Sequence, residues 1–62
     1  MTLRERQILL LVANGYSDKQ ISIITNLVPS HVGRIIVTLR HRLEAQNRSH
    51  LVAMAMRKGW IT

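Results

Sequence analysis

The sequence predicts an all-α domain of four helices built around a helix-turn-helix, and three observations carry that prediction. Thr2-Leu3-Arg4-Glu5 and Ser17-Asp18-Lys19-Gln20 are both S/T-x-x-E/Q capping boxes, in which the first side chain and the fourth satisfy each other's backbone N–H groups. Pro29 opens a further stretch in which Val32, Ile36, Leu39 and Leu43 recur at steps of four, three and four. Nothing in the chain requires a strand, although the β-branched run Ile35-Ile36-Val37 is locally a poor helix former.

The first helix starts at Thr2, carries a broad apolar stripe of Leu3, Ile8, Leu10, Leu11 and Val12 with Gln7 among them, and stops at Asn14-Gly15. The second runs from about Asp18 to Thr25, with Ile21 and Ile24 expected to face inward, and Leu27 and Val28 make a short apolar turn. The third buries Val32, Ile36, Leu39 and Leu43 and turns Ser30, Arg34, Val37, Thr38 and His41 the other way, flanked by Gly33 and Arg40. The fourth is capped by Asn47, has Leu51, Val52 and Ala55 as its inner face, and closes at Gly59 with Trp60 packing back. The whole of residues 1–62 is expected to form one domain without low-complexity tract or repeat.

Composition narrows the function classes. A chain of 62 residues buries only about 60% of the surface its unfolded form exposes, so a partner subunit would add stability. Nine Lys and Arg against three Asp and Glu give a net charge of +6, with Arg34, Arg40, Arg42, Arg48, Arg57 and Lys58 all after Gly33. A polyanion is the partner this balance implies, against the plainer reading of a solvated cationic surface. There is no cysteine, hence no disulfide, thiolate ligand or thiol nucleophile. His31, His41 and His50 are spread along the chain with no carboxylate to join them, so no metal site is expected. No nucleophile and base pair and no Gly-rich phosphate loop stands out, so neither an enzyme nor a cofactor is expected. No apolar run reaches the roughly 18 residues that span a bilayer, and Met1-Thr2-Leu3-Arg4-Glu5-Arg6 does not have the form of a signal peptide. The expected compartment is therefore the cytoplasm, with no membrane partner.

With the motifs laid out, the chain resembles the LuxR/GerE-type helix-turn-helix domain of bacterial transcription regulators over Thr2 to Ile61. The family opening Leu-Thr-x-Arg-Glu is answered by Met1-Thr2-Leu3-Arg4-Glu5-Arg6 with Ile8-Leu9, and Ala-x-Gly-x-Ser-Asn-Lys-Glu-Ile-Ala by Ala13-Asn14-Gly15-Tyr16-Ser17-Asp18-Lys19-Gln20-Ile21-Ser22. Further on, Lys-Leu is answered by Arg42-Leu43, Asn-Arg by Asn47-Arg48, and Ala-x-x-x-Gly-Leu-Ile by Ala55-Met56-Arg57-Lys58-Gly59-Trp60-Ile61. The resemblance implies a domain that binds DNA through its third helix and often pairs through its fourth. The departures fall at the start of the third helix, where Ser or Thr at the cap, Thr-Val-Lys and His are replaced by Val28, His31-Val32-Gly33 and Ile35. Val28 cannot accept a backbone N–H, so either the first turn is uncapped or Ser30 caps a helix that begins later. Gly33 removes a long cation, and Arg34 stands beside it as a replacement.

Candidate roles follow. Arg34 either pairs bidentately with guanine or is an ordinary solvated arginine. Ser17 and Lys19 stand where a helix N-terminus holds phosphate, and Lys19 is otherwise plain surface. Arg40 and Arg42 complement either phosphate or the C-terminal dipole of their own helix. Ser30, His31, Gly33, Val37, Thr38 and His41 complete the expected double-stranded DNA face, and Ile35 and Val37 suit either thymine methyls or a protein. His50, Ala53, Met54 and Arg57 carry the expected homodimer interface, with Met56 divided between core and surface. Glu5 and Arg48 are expected to form an ion pair joining the first helix to the fourth. The expected function is sequence-specific DNA binding in transcription regulation. The alternatives are a module that pairs with another LuxR-type regulator without reading DNA, and nonspecific nucleic-acid binding by charge.

Overall fold

The computed structural model describes residues 1–62 and contains four helices, α1 (Leu3–Ala13), α2 (Asp18–Thr25), α3 (Pro29–Arg42) and α4 (Arg48–Arg57). Both capping boxes form. The Thr2 hydroxyl accepts from the Glu5 N–H at 3.0 Å while Glu5 accepts from the Thr2 N–H at 2.8 Å, and Ser17 and Gln20 do the same at 3.2 and 2.9 Å. Asn47 caps α4 by accepting from the His50 N–H at 2.8 Å.

α3 alone begins without a side-chain cap. Val28 is its N-cap residue and Pro29 its first helical residue, so the first turn is uncapped and Ser30 does not serve as a later cap. Pro29 has no N–H to orphan there, which lessens the loss.

Three helices end in the same way, with the residue after the C-cap in the left-handed region and the next N–H reaching back five residues. Tyr16 donates to Leu11 O at 3.1 Å past Gly15 (φ 88°), and Trp60 to Ala55 O at 2.9 Å past Gly59 (φ 73°). At the end of α3, Ala45 donates to Arg40 O at 2.8 Å, and the left-handed residue is Glu44 (φ 55°), where a glycine would be unstrained. α2 stops at Asn26, also left-handed (φ 59°), and residues 26–28 turn the chain so that α3 leaves at 110° to α2.

The core is Ile8, Leu9, Val12, Ile21, Val32, Ile36, Leu39, Leu43, Ala45, Leu51, Ala55 and Ile61. α1 packs on all three other helices and α4 on α1 and α3, so α2 and α3 are held against a platform of α1 and α4. Two expected core positions lie outside it. Leu3 is on the side of α1 away from Ile8, Leu9 and Val12 and is 87% exposed. In α2 the inward line runs through Ile21 and Thr25, which leaves Ile24 about half exposed. Val52 is half-buried rather than fully inside, whereas Trp60 does pack on the core. No single helix is long and apolar enough to cross a membrane.

Candidate nucleic-acid interface

The exposed side of α3 is set by its buried side. With Val32, Ile36 and Leu39 inward, the helical step of about 100° per residue turns Ser30, Arg34, Val37, Thr38 and His41 to solvent. All five are exposed, as is His31 at the edge. Arg34 makes no hydrogen bond or ion pair within the chain, so its guanidinium is free at the middle of this face. The N-terminus of α2 lies beside it. Gly33 is half-buried there, and a Cβ built on it would meet only Asp18 Oδ2, at 3.8 Å. Lys19 is exposed and unpaired, while Ser17 uses its oxygen as the α2 cap.

Arg40 and Arg42 are arranged differently from expectation. Each lies about 100° from the centre of the exposed face, on opposite flanks, and each is held within the fold. Arg40 is half-buried and donates to Gln46 O at 2.7 Å, tying the end of α3 to the connection into α4, and its Nε is buried without a partner. Arg42 grips Glu5 with two nitrogens at 3.3 and 3.2 Å. The Thr2 main-chain N–H, followed by the Arg42 guanidinium, holds the Glu5 carboxyl below its ordinary value of 4.5. Both arginines expected at phosphate thus already have partners within the fold.

The expected Glu5–Arg48 pair does not form. Arg48 donates to Asp18 Oδ1 at 2.5 Å and to Tyr16 O at 2.7 Å, binding the start of α4 to the turn between α1 and α2. Glu5 is near the other end of α1, an 11-residue helix about 16 Å long, where α3 terminates. Asp18 is the ion-pair partner missed in the sequence. Its signal was present, because the chain has only three carboxylates and Asp18 sits in the first turn of α2.

On α4, Met54 packs against the core rather than standing outside the core stripe as expected, and Ala53 is half-buried. Met56 is the exposed methionine, at 54%. His50 is half-buried, and its Nδ1 accepts from the Gln46 N–H at 3.0 Å. Arg57 is exposed, with a nitrogen 3.7 Å from Met54 Sδ. Ile35, expected beside Val37 at the surface, is instead partly buried against the core, so Val37 (46% exposed) is the apolar side chain left on the α3 face. Val28, expected in a short apolar turn and unable to cap α3, is 63% exposed at the tip of that helix.

A short capped helix followed after a tight turn by a longer one at 110°, both seated on two further helices, defines a helix-turn-helix domain. Residues 1–55 match the family described as bacterial regulatory proteins, luxR family, and the chain belongs to that family. It is also similar to an uncharacterized transcriptional regulatory protein, YvfU, of Bacillus subtilis (strain 168), with 36% identity over 61 residues. That match covers 98% of this chain but 30% of the relative, so the chain spans less than a third of the length of the protein it matches. Family membership makes this a DNA-binding domain of transcription regulation and not an enzyme.

Proposed function

We propose that the chain binds duplex DNA sequence-specifically, laying α3 in the major groove with the N-terminus of α2 against the phosphate backbone. The observation that carries this reading is the free guanidinium of Arg34, central on an exposed helix face whose other cations are engaged inside the fold. A planar, unpaired guanidinium is the side chain best suited to guanine O6 and N7. Lys19 and Ser17 at the start of α2 supply a cation and a helix N-terminus for phosphate. DNA as the ligand makes the nucleoid of a bacterial cytoplasm the site of action. The homodimer proposed through α4 uses its outer side, with the half-buried Ala53 and the exposed Met56 and Arg57 at the contact and two α3 helices in successive grooves.

The test is a titration of the full chain against a site selected from a random library and against unrelated duplex. Arg34→Ala should weaken the selected site by about 1–3 kcal/mol per half-site and leave unrelated DNA nearly unchanged. Lys19→Ala should weaken both alike and make the salt slope shallower by about 1. Met56→Glu should shift sedimentation towards monomer, because two like charges meet near the two-fold axis. Equal losses on both DNAs for Arg34→Ala would refute the docking.

One observation favours a second reading, pairing with another LuxR-type regulator: Ile23 on α2 is 72% exposed and stands near Ile24 on the same helix. A chain that binds such a partner and prefers no DNA sequence would establish that reading instead.

A further inference from the structure

The face of α3 is short of cations and carries an apolar side chain where a charged one would be unremarkable. Val37 stands at the solvent surface of the helix face that also carries Ser30, Arg34, Thr38 and His41. A protein interface has an apolar centre depleted of charge, and a lone valine beside a free arginine does not make one. In the major groove, by contrast, the C5-methyl of thymine is the apolar feature presented among hydrogen-bonding groups, and an aliphatic side chain among donors complements that pattern. Val28 repeats the situation at the other end. It is exposed, it forms no cap, and it precedes the first turn of the helix, the part that meets base edges when such a helix docks.

We infer that Val37 and Val28 read thymine methyl groups, so that the preferred site contains thymines at two separate steps of each half-site. Arg34, between them in the chain, supplies the hydrogen-bonding contact. The inference rests on the proposed docking of α3. It adds that the loss of a cation at Gly33 and of a polar cap at Val28 has moved selection from charge to methyl recognition.

Deoxyuridine tests this directly, because it pairs as thymidine does and lacks only the methyl. In fluorescence anisotropy with the full chain and its library-selected site, replacing each thymine in turn should weaken binding about four-fold at the two contacted positions and not elsewhere, the effect of one buried methyl. Val37→Ala should abolish the thymine preference at one position and Val28→Ala at the other, each leaving the other position's preference intact. Both residues are exposed, so neither variant removes core packing. A selected site insensitive to deoxyuridine throughout would overturn the inference while leaving the docking standing. A preference that persists in both variants would overturn the assignment to these residues. Failure of the library to yield any preferred site would overturn both the docking and the inference.

Discussion

Two residues at opposite ends of α3 have their conformational needs reversed, and exchanging them should stabilise the protein. Gly33 lies inside the helix, where glycine is about 1 kcal/mol less favourable than alanine. The deciding distance is 3.8 Å: a methyl at Gly33 would touch only Asp18 Oδ2, at ordinary van der Waals separation, so Gly33→Ala gains the propensity without a clash. Glu44 has φ 55°, a left-handed conformation that costs a residue with a Cβ about 1–2 kcal/mol. Glu44→Gly recovers that, less roughly 0.4–1 kcal/mol for the freer unfolded chain, and removes a carboxylate from the negative end of the α3 dipole. The net gain is about 1 kcal/mol. The sites are 11 residues apart, about 16 Å along the helix, and share no partner, so the effects should add. Each kcal/mol raises Tm by about 4–8 °C in a domain of this size. Thermal and urea unfolding of both single variants and the double should show two increments that sum. Destabilisation by Gly33→Ala would mean that the Asp18 carboxylate cannot yield, and destabilisation by Glu44→Gly would mean that the Glu44 side chain holds the turn.

The ion pairs make further predictions. In a double-mutant cycle Asp18 and Arg48 should show coupling of about 0.2–1 kcal/mol, in keeping with side chains some 40% exposed, while Glu5 and Arg48 should be additive. Arg48→Ala should destabilise more than Asp18→Asn because it also removes the bond to Tyr16 O; coupling of Glu5 with Arg48 in urea unfolding would contradict the observed pairing. Glu5 gives a pH signature. Its folded value is depressed, so its contribution is fully present above about pH 4.5 and is lost as pH falls through the lower folded value. Glu5→Gln should flatten the fall of Tm below pH 4.5, and an unchanged acid limb would show that Glu5 is not the group responsible.

Local chemistry made the helices legible before any tertiary contact was known. Thr2 with Glu5, Ser17 with Gln20, Asn47, Gly15 and Gly59 each satisfy backbone groups within a few residues, and these are the ends the structure has. The turn at Glu44 was not legible, because glutamate has no preference for φ above zero and only packing of Leu43 and Ala45 into the core forces it there. Periodicity failed where helices are short or crossed: Ile24 and Leu3 fit an apolar stripe, but Leu3 is on the side of α1 away from the core and the inward line of α2 runs through Ile21 and Thr25 instead of Ile24. Met54 and Met56 are two residues apart with similar side chains, and only the direction in which α4 crosses α1 decides which is inside. Of the candidate DNA residues, those on the α3 face followed from its buried stripe. The partners of Arg40, Arg42 and Arg48 did not, since a long flexible side chain can reach several groups and its choice is fixed by helix docking.

Those choices change how the charge of the chain is to be understood. Arg4 and Arg6 donate to main-chain carbonyls of Thr25 and Trp60, Arg40 to that of Gln46, and Arg42 and Arg48 neutralise Glu5 and Asp18. In a chain with so small a core, guanidinium groups act as crosslinks between helix ends, donating to carbonyls at and just beyond those ends. Lys19, Arg34 and Lys58 alone among the nine cations make neither a hydrogen bond nor an ion pair. A net charge of +6 therefore produces a long-range attraction for a polyanion but few side chains placed to grip phosphate. With Lys19 as the phosphate cation on the proposed face, counterion release per domain should be small and nonspecific binding correspondingly weak. Discrimination must then come from base contacts made by few residues, which is why the free guanidinium of Arg34 and the two exposed valines bear so much of the proposed selectivity.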